Sequence, residues 1–220
     1  MTDAYARLDF RRRERIGMVE AVWGEHKSVE QIAAILKMFQ SRNQMALVTR
    51  VSSQKAEIVL ESIQEATYHV EANCLTVGDP LPKESSLGRV VVVSGGTSDL
   101  QVAKESQLAL ECHGIETDLL LDVGVAGLHR LLENLNYLKE AKVLIVCAGM
   151  EGALPTVISG LLPQPIVGVP ISVGYGMSSK GKAALAGMLS SCSPGLVVVN
   201  IDNGYGAAMA ALRIIKIQKH

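Results

Sequence analysis

The chain has 220 residues, of which 48% are hydrophobic, 20% charged and 4% aromatic, and its 21 basic and 22 acidic side chains leave a formal charge of -1. That apolar content excludes a disordered or collagen-like chain and suffices for one domain, or for a small one followed by a medium one. There is no basic excess to suggest nucleic acid, no apolar run near the ~18 residues of a membrane span, and no charged-then-apolar signal pattern in residues 1–7, so the expectation is a soluble cytoplasmic protein.

Residues 1–80 read as a small α+β domain. Residues 11–23 set Ile16, Val19 and Val22 at helical spacing among charges, with Arg11, Arg12, Arg13 and Arg15 read as a solvated face or, as the alternative, a phosphate or subunit contact. Ser28 followed by Gln31 resembles a capping box opening a helix over 29–39. Residues 45–51 form a short apolar run expected to be a strand. Ser52 and Ser53 then start a helix to about Glu65, and residues 68–77 suggest a second strand. Two prolines and a glycine among polar residues at 77–86 mark a linker.

Residues 87–220 are regular. The runs 90–94, 119–123, 143–148, 166–169 and 196–201 are almost wholly apolar, the pattern of strands buried on both faces of a parallel sheet. Helical stretches at 99–112, 128–138, 153–161, 181–189 and 206–217 alternate with them. The fold class is therefore α/β, a doubly wound parallel sheet. The last helix suits either the core or a subunit contact. In such folds ligands bind beyond the carboxyl ends of the strands.

Those ends carry unusual loops. Gly95 and Gly96 let backbone approach a ligand, followed by Thr97, Ser98 and Asp99, which either contact it or cap the next helix. After the second strand stand Asp122, Gly124, Gly127, His129 and Arg130, where His129 is either a structural hydrogen-bonding residue or a catalyst. After the third stand Gly149, Met150 and Glu151. A lone carboxylate among Gly and apolar residues is expected to have a raised pKa and to serve as a base, unless it is an exposed turn residue. The fourth and fifth yield Ser172, Gly174, Tyr175 and Gly176, then Asn200 and Asp202.

Cys74, Cys112, Cys147 and Cys192 form no C-x-x-C or Cys/His cluster, so neither structural zinc nor a disulfide is expected. Cys147 lies inside an apolar run and reads as core filler, as do Cys74 and Cys112. Cys192 differs. It sits among Ser190, Ser191, Ser193, Pro194 and Gly195, where a thiol is accessible and a neighbouring carboxylate is able to activate it. Walker A and G-x-G-x-x-G motifs are absent, which argues against a routine hydride-transfer enzyme. Residue chemistry alone reaches a small-molecule enzyme with one candidate nucleophile.

Ordered strings add a resemblance. Gly96-Thr97-Ser98-Asp99 and Pro165-Ile166-Val167-Gly168-Val169-Pro170 resemble segments of PurE-type aminoimidazole ribonucleotide carboxylases and mutases. With Asp122 to Arg130, Ala148 to Pro155, Ser172 to Gly176, Ser191-Cys192 before Pro194-Gly195, and Val198 to Gly204, the chain is more similar to the LarB family of nickel pincer cofactor biosynthesis. Leu8-Asp9-Phe10-Arg11 and Val48-Thr49-Arg50 extend the likeness over nearly the whole chain. Ala153 departs from the purine mutases, which carry His there. Ser190, Ile171 and Ser106 depart from the LarB pattern.

The resemblance implies a PurE-like (flavodoxin-like) three-layer fold and a homo-oligomer, an octamer. It implies nicotinic acid adenine dinucleotide as substrate, CO2 or bicarbonate as co-substrate and Mg²⁺ for the hydrolytic step, with Asp122 and Asp202 as its supporters. It casts Cys192 as nucleophile, Glu151 as base, and Ser98 and Asp99 as proton-transfer and orienting groups. Gly96, Thr97, Asp122, His129, Arg130, Gly149, Met150, Ser172, Gly174, Tyr175, Gly176, Asn200 and Asp202 become substrate contacts. The alternatives are a purine-pathway carboxylase or mutase and a non-catalytic nucleotide sensor.

Overall fold

The computed structural model describes residues 8–217; the heptapeptide read above for a signal pattern lies outside them. The chain divides into two compact units, 1–82 with 112–114 and 83–111 with 115–220.

In the first unit, α1 (Arg12–Ile16) is short, because Gly17 takes a left-handed conformation (φ 70°) and ends it. The helix expected over 11–23 therefore stops early. Its second half is a strand, β1 (Glu20–Trp23), half-buried and paired parallel with β2 (Ala46–Thr49). Of the four arginines, Arg11, Arg13 and Arg15 are exposed, Arg15 pairing with Asp9, while Arg12 is partly buried with its Nε 3.9 Å from the half-buried Glu20.

The helix α2 (Val29–Gln40) does open on the Ser28/Gln31 capping box and buries Ile32, Ile35, Leu36 and Phe39. Helix α3 is Ser53–Ser62. The single strand expected over 68–77 is a hairpin of β3 (Thr67–His69) and β4 (Cys74–Val77), turned at Asn73, whose φ is 50°. The sheet order is β1-β2-β4-β3, mixed in direction.

The second unit is one parallel sheet. Its strands are β5 (Arg89–Ser94), β6 (Glu116–Leu120), β7 (Val143–Ala148), β8 (Ile166–Pro170) and β9 (Leu196–Val198), in the order β6-β5-β7-β8-β9. All four pairings are parallel. Helix α4 (Leu100–Cys112) follows β5, while α5 (Leu128–Glu133) and α6 (Leu135–Leu138) follow β6. Then α7 (Ala153–Leu161) follows β7, α8 (Lys182–Leu189) follows β8 and α9 (Gly204–Ile217) closes the fold.

On one face Leu131, Leu138, Leu154, Ile158 and Met188 pack on Val91, Val93, Leu144 and Val146. On the other, α9 covers β7 and β8 through Ala207, Ala208, Ala211, Leu212 and Ile215, so it is a core helix. The middle strands β7 and β8 are buried throughout. The outer ones are not. The second strand begins three residues before its expected start and includes polar Glu116 and Asp118, and β9 is only three residues long.

Candidate active site

The order β6-β5-β7 means that the chain leaves β5 to one side first and to the other side later, which opens a crevice at the carboxyl ends of β5 and β7. A cleft of about 540 Å³ occupies it. Its walls come from the loops after four strands: Gly95, Gly96, Ser98 and Asp99; Gly124 to Ala126; Gly149, Met150 and Glu151 with the first turn of α7; and Val173, Gly174 and Tyr175.

The glycines permit this convergence. A Cβ on Gly124 would lie 2.6 Å from the Gly95 carbonyl oxygen, and one on Gly149 would lie 2.6 Å from that of Val173. Neighbouring loops thus touch backbone to backbone. Gly149→Ala is expected to push the fourth loop outward, to destabilise the unit by about 1–3 kcal/mol, and to weaken ligand retention in the cleft. Thermal melting and dinucleotide titration of the variant check this.

Asp99 is the one buried charge in the lining, 3% exposed. Its Oδ2 accepts the Gly96 N–H at 2.9 Å, closing the loop in front of α4. The capping position is the one seen, and the residue also lines the cleft. Burial pushes its carboxyl above the ordinary aspartate range, the Gly96 and Gly95 amides oppose that, and the Asp202 charge adds to it. Beneath it, Cys147 is fully buried in β7 and its thiol is pushed well up by burial, then by Asp99, Glu105 and Asp202.

Glu151 lines the cleft and is exposed, which is the turn position left open as the alternative. Ser98, also exposed, points its loop position into the same space.

Of the other expected contacts, Gly96, Gly149, Met150, Gly174 and Tyr175 border the cleft; Thr97, Asp122, His129, Arg130, Ser172, Gly176, Asn200 and Asp202 do not. Asp122 holds the Arg130 guanidinium in an ion pair. His129 is exposed on the first turn of α5. Asn200 Oδ1 accepts the adjacent Ile201 amide. Asp202 acts behind the wall: its Oδ1 accepts the Ser172 N–H at 2.8 Å. Val125, Ala126, Leu154 and Val173 line the cleft without having been expected; nothing but their position after a strand marked them.

Cys192 is exposed, whereas Cys74, Cys112 and Cys147 are buried. It lies outside the cleft lining. Its loop is fastened along α7, with the Thr156 hydroxyl donating to Ser191 Oγ at 2.8 Å and Ser159 bonded to Ser193. Thr156 and Ser159 lie about 4.5 and 9 Å down the helix axis from Ala153 at 1.5 Å per residue. The Glu151 carbonyl in turn sits against Gly187 of α8, the helix that leads to the loop. Cys192 therefore sits in a loop held along α7, while Glu151 stands at the cleft's edge just before that helix begins.

Among the described residues no three His, Cys, Asp or Glu side chains converge on a metal position. Asp122 is committed to Arg130 and Asp202 to the Ser172 amide, so the residues present do not by themselves build a Mg²⁺ site. No helix among the described residues is long and apolar enough to cross a membrane.

A five-stranded parallel sheet with glycine loops converging at its switch point defines a PurE-like α/β protein. The chain belongs to the AIR carboxylase family, which residues 89–220 match, and residues 1–79 match the LarB/PurE-like N-terminal domain, which supports placing it in the LarB branch. It is 38% identical over 218 residues to an uncharacterised protein of Methanocaldococcus jannaschii, covering 96% of this chain and 84% of the relative. A probable N5-carboxyaminoimidazole ribonucleotide mutase of Methanothermobacter thermautotrophicus is 28% identical over 163 residues, or 72% of this chain and 47% of that one. The crystal structure of a PurE2 variant from Treponema denticola is similar at TM-score 0.46 and 23% identity, covering 58% of this chain and 79% of that one.

Proposed function

We propose that this chain carboxylates the pyridinium ring of nicotinic acid adenine dinucleotide and hydrolyses its phosphoanhydride, giving pyridinium-3,5-biscarboxylic acid mononucleotide and AMP. The observation that carries the reading is the thiol. Cys192 is the one exposed cysteine of four, and its loop is fastened to α7, the helix that Glu151 precedes. Residues 1–79 support it further, since they match the LarB/PurE-like N-terminal domain.

The chemistry follows from electron demand. A pyridinium ring is electron-poor and does not attack CO2. The Cys192 thiolate adds to a ring carbon, a C–S bond forms, and the electron pair moves into the ring, leaving a neutral dihydropyridine. Its enamine carbon attacks CO2 and forms the new C–C bond. Glu151 takes the proton from that carbon, the C–S bond breaks, and the thiolate leaves with its electron pair as the aromatic cation returns. Water then cleaves the anhydride. Amides at the start of α7 suit anionic phosphates.

A homo-oligomer, an octamer on the PurE pattern, belongs to this reading, and so does a cytoplasmic setting. Tyr175 and Met177, 78% and 94% exposed, are apolar surface beside the cleft that a second copy would cover.

The test is mass spectrometry after incubation with the dinucleotide, bicarbonate and Mg²⁺. Biscarboxylated mononucleotide plus AMP is expected; an unchanged dinucleotide would overturn the reading. Mutase activity on N5-carboxyaminoimidazole ribonucleotide is expected to be absent, because Ala153 offers no imidazole beside the cleft.

A further inference from the structure

Glu105 and Ser106 take no part in the chemistry above, yet they are 4% and 0% exposed on the inner face of α4. A buried carboxylate is costly unless its oxygens are bonded. Glu105 Oε1 accepts the Tyr205 N–H at 2.8 Å, and the single proton of the Ser106 hydroxyl is shared between the Val102 carbonyl oxygen at 3.0 Å and the Gly204 carbonyl oxygen at 3.1 Å. The contact is close, for a Cβ on Gly204 would lie 2.5 Å from the Val102 carbonyl and 2.9 Å from Ser106 Oγ.

Two residues before Gly204 stands Asp202, in a left-handed conformation with φ 55°. Its N–H donates to the Pro170 carbonyl at 2.9 Å and its carboxylate receives the Ser172 amide. Ser172 opens the loop whose next three residues wall the cleft, and Val173 in that loop accepts the Met150 N–H at 3.3 Å. The amino end of α4 carries Ser98 and Asp99 of the first wall.

We infer that Glu105 and Ser106 are positioning residues: through the turn at 202–205 they set the fourth wall of the cleft from the helix that begins at its first wall. This inference deepens the proposed carboxylation and leans on it only for the kinetic readout.

Hydrogen exchange followed by mass spectrometry, on wild type, Glu105→Ala, Glu105→Gln and Ser106→Ala, tests it without any turnover. In Glu105→Ala the amides at 171–175 are expected to exchange about tenfold faster while those of β5 and β7 keep their protection. Glu105→Gln retains an acceptor for Tyr205 and is expected to stay near wild type. Ser106→Ala, the milder change, is expected to loosen the same segment about threefold, which keeps the test open if Glu105→Ala does not fold. Uniform acceleration across the sheet would reduce Glu105 to a helix cap, and unchanged exchange at 171–175 would also overturn the inference.

In kinetics with nicotinic acid adenine dinucleotide, Glu105→Ala is expected to raise KM about tenfold with kcat within about twofold, the signature of lost positioning that is equal in ground and transition states. Glu105→Gln is expected to restore KM, and failure to do so would overturn the inference. A wild type that never turns the dinucleotide over would sink the proposed reaction, while the exchange experiment would still decide the role of Glu105.

Discussion

Cys192→Ser is expected to bind the dinucleotide within about threefold of wild type and to lose carboxylation by about 10³-fold or more. The reason is electronic. A hydroxyl at this position has nearly the shape of the thiol but is scarcely ionised at neutral pH, and it is a far weaker nucleophile toward a ring carbon. The residue is exposed, so the substitution is expected to leave the melting temperature almost unchanged. Product mass and AMP release, followed side by side, separate the two half-reactions. AMP without added carboxylate would place the thiol in the ring chemistry alone. Full carboxylation by the serine variant would remove the covalent mechanism.

Asp99→Asn is expected to raise the melting temperature at neutral pH while cutting activity about 10²-fold, the loss of a carboxyl that moves a proton. Burial raises the folded-state pKa of Asp99 above the ordinary value of 3.8. The folded protein therefore holds this proton at pH values where the unfolded chain has released it. Stability from this group is complete below 3.8 and is lost as pH rises through the folded-state pKa. The always-neutral asparagine escapes that loss and still offers an oxygen to the Gly96 amide. Melting curves of the two proteins are expected to coincide in acid and to part as pH rises. A gap that instead opened toward acid would contradict the direction assigned to Asp99.

The fold was legible where burial is two-sided. The strands β7 and β8 read directly as apolar runs because both of their faces are covered. Legibility failed at edges. Asp118 in β6 is polar because it receives Arg89 and the Tyr137 hydroxyl, partners brought from two other elements. Strand β1 hid within a helical periodicity, since Ile16, Val19 and Val22 keep the three-residue spacing of a helix and only the left-handed Gly17 separates the two elements.

The site was legible to the same extent. Loops at strand ends announced the cleft through Gly95, Gly96 and Gly149. Spacing along the chain says nothing of how far a loop after α8 lies from a loop after β7, so the offset of Cys192 from the cleft emerged only with the packing of Ser191 on Thr156. Nor does it tell an exposed Glu151 from a buried Asp99. Glu105 had a faint signature, as a charge beside the apolar positions Val102, Ala103, Ala109 and Leu110 of α4.

The brevity of β9 has a further effect. An outermost strand with free amides and carbonyls invites another chain to add itself, and a half-exposed Val197 would encourage that. Three residues, entered through Pro194 and a Gly195 at φ 84°, offer too short a template for such growth. On this side of the sheet the buried strands β7 and β8 are thereby kept from growing outward through a further chain.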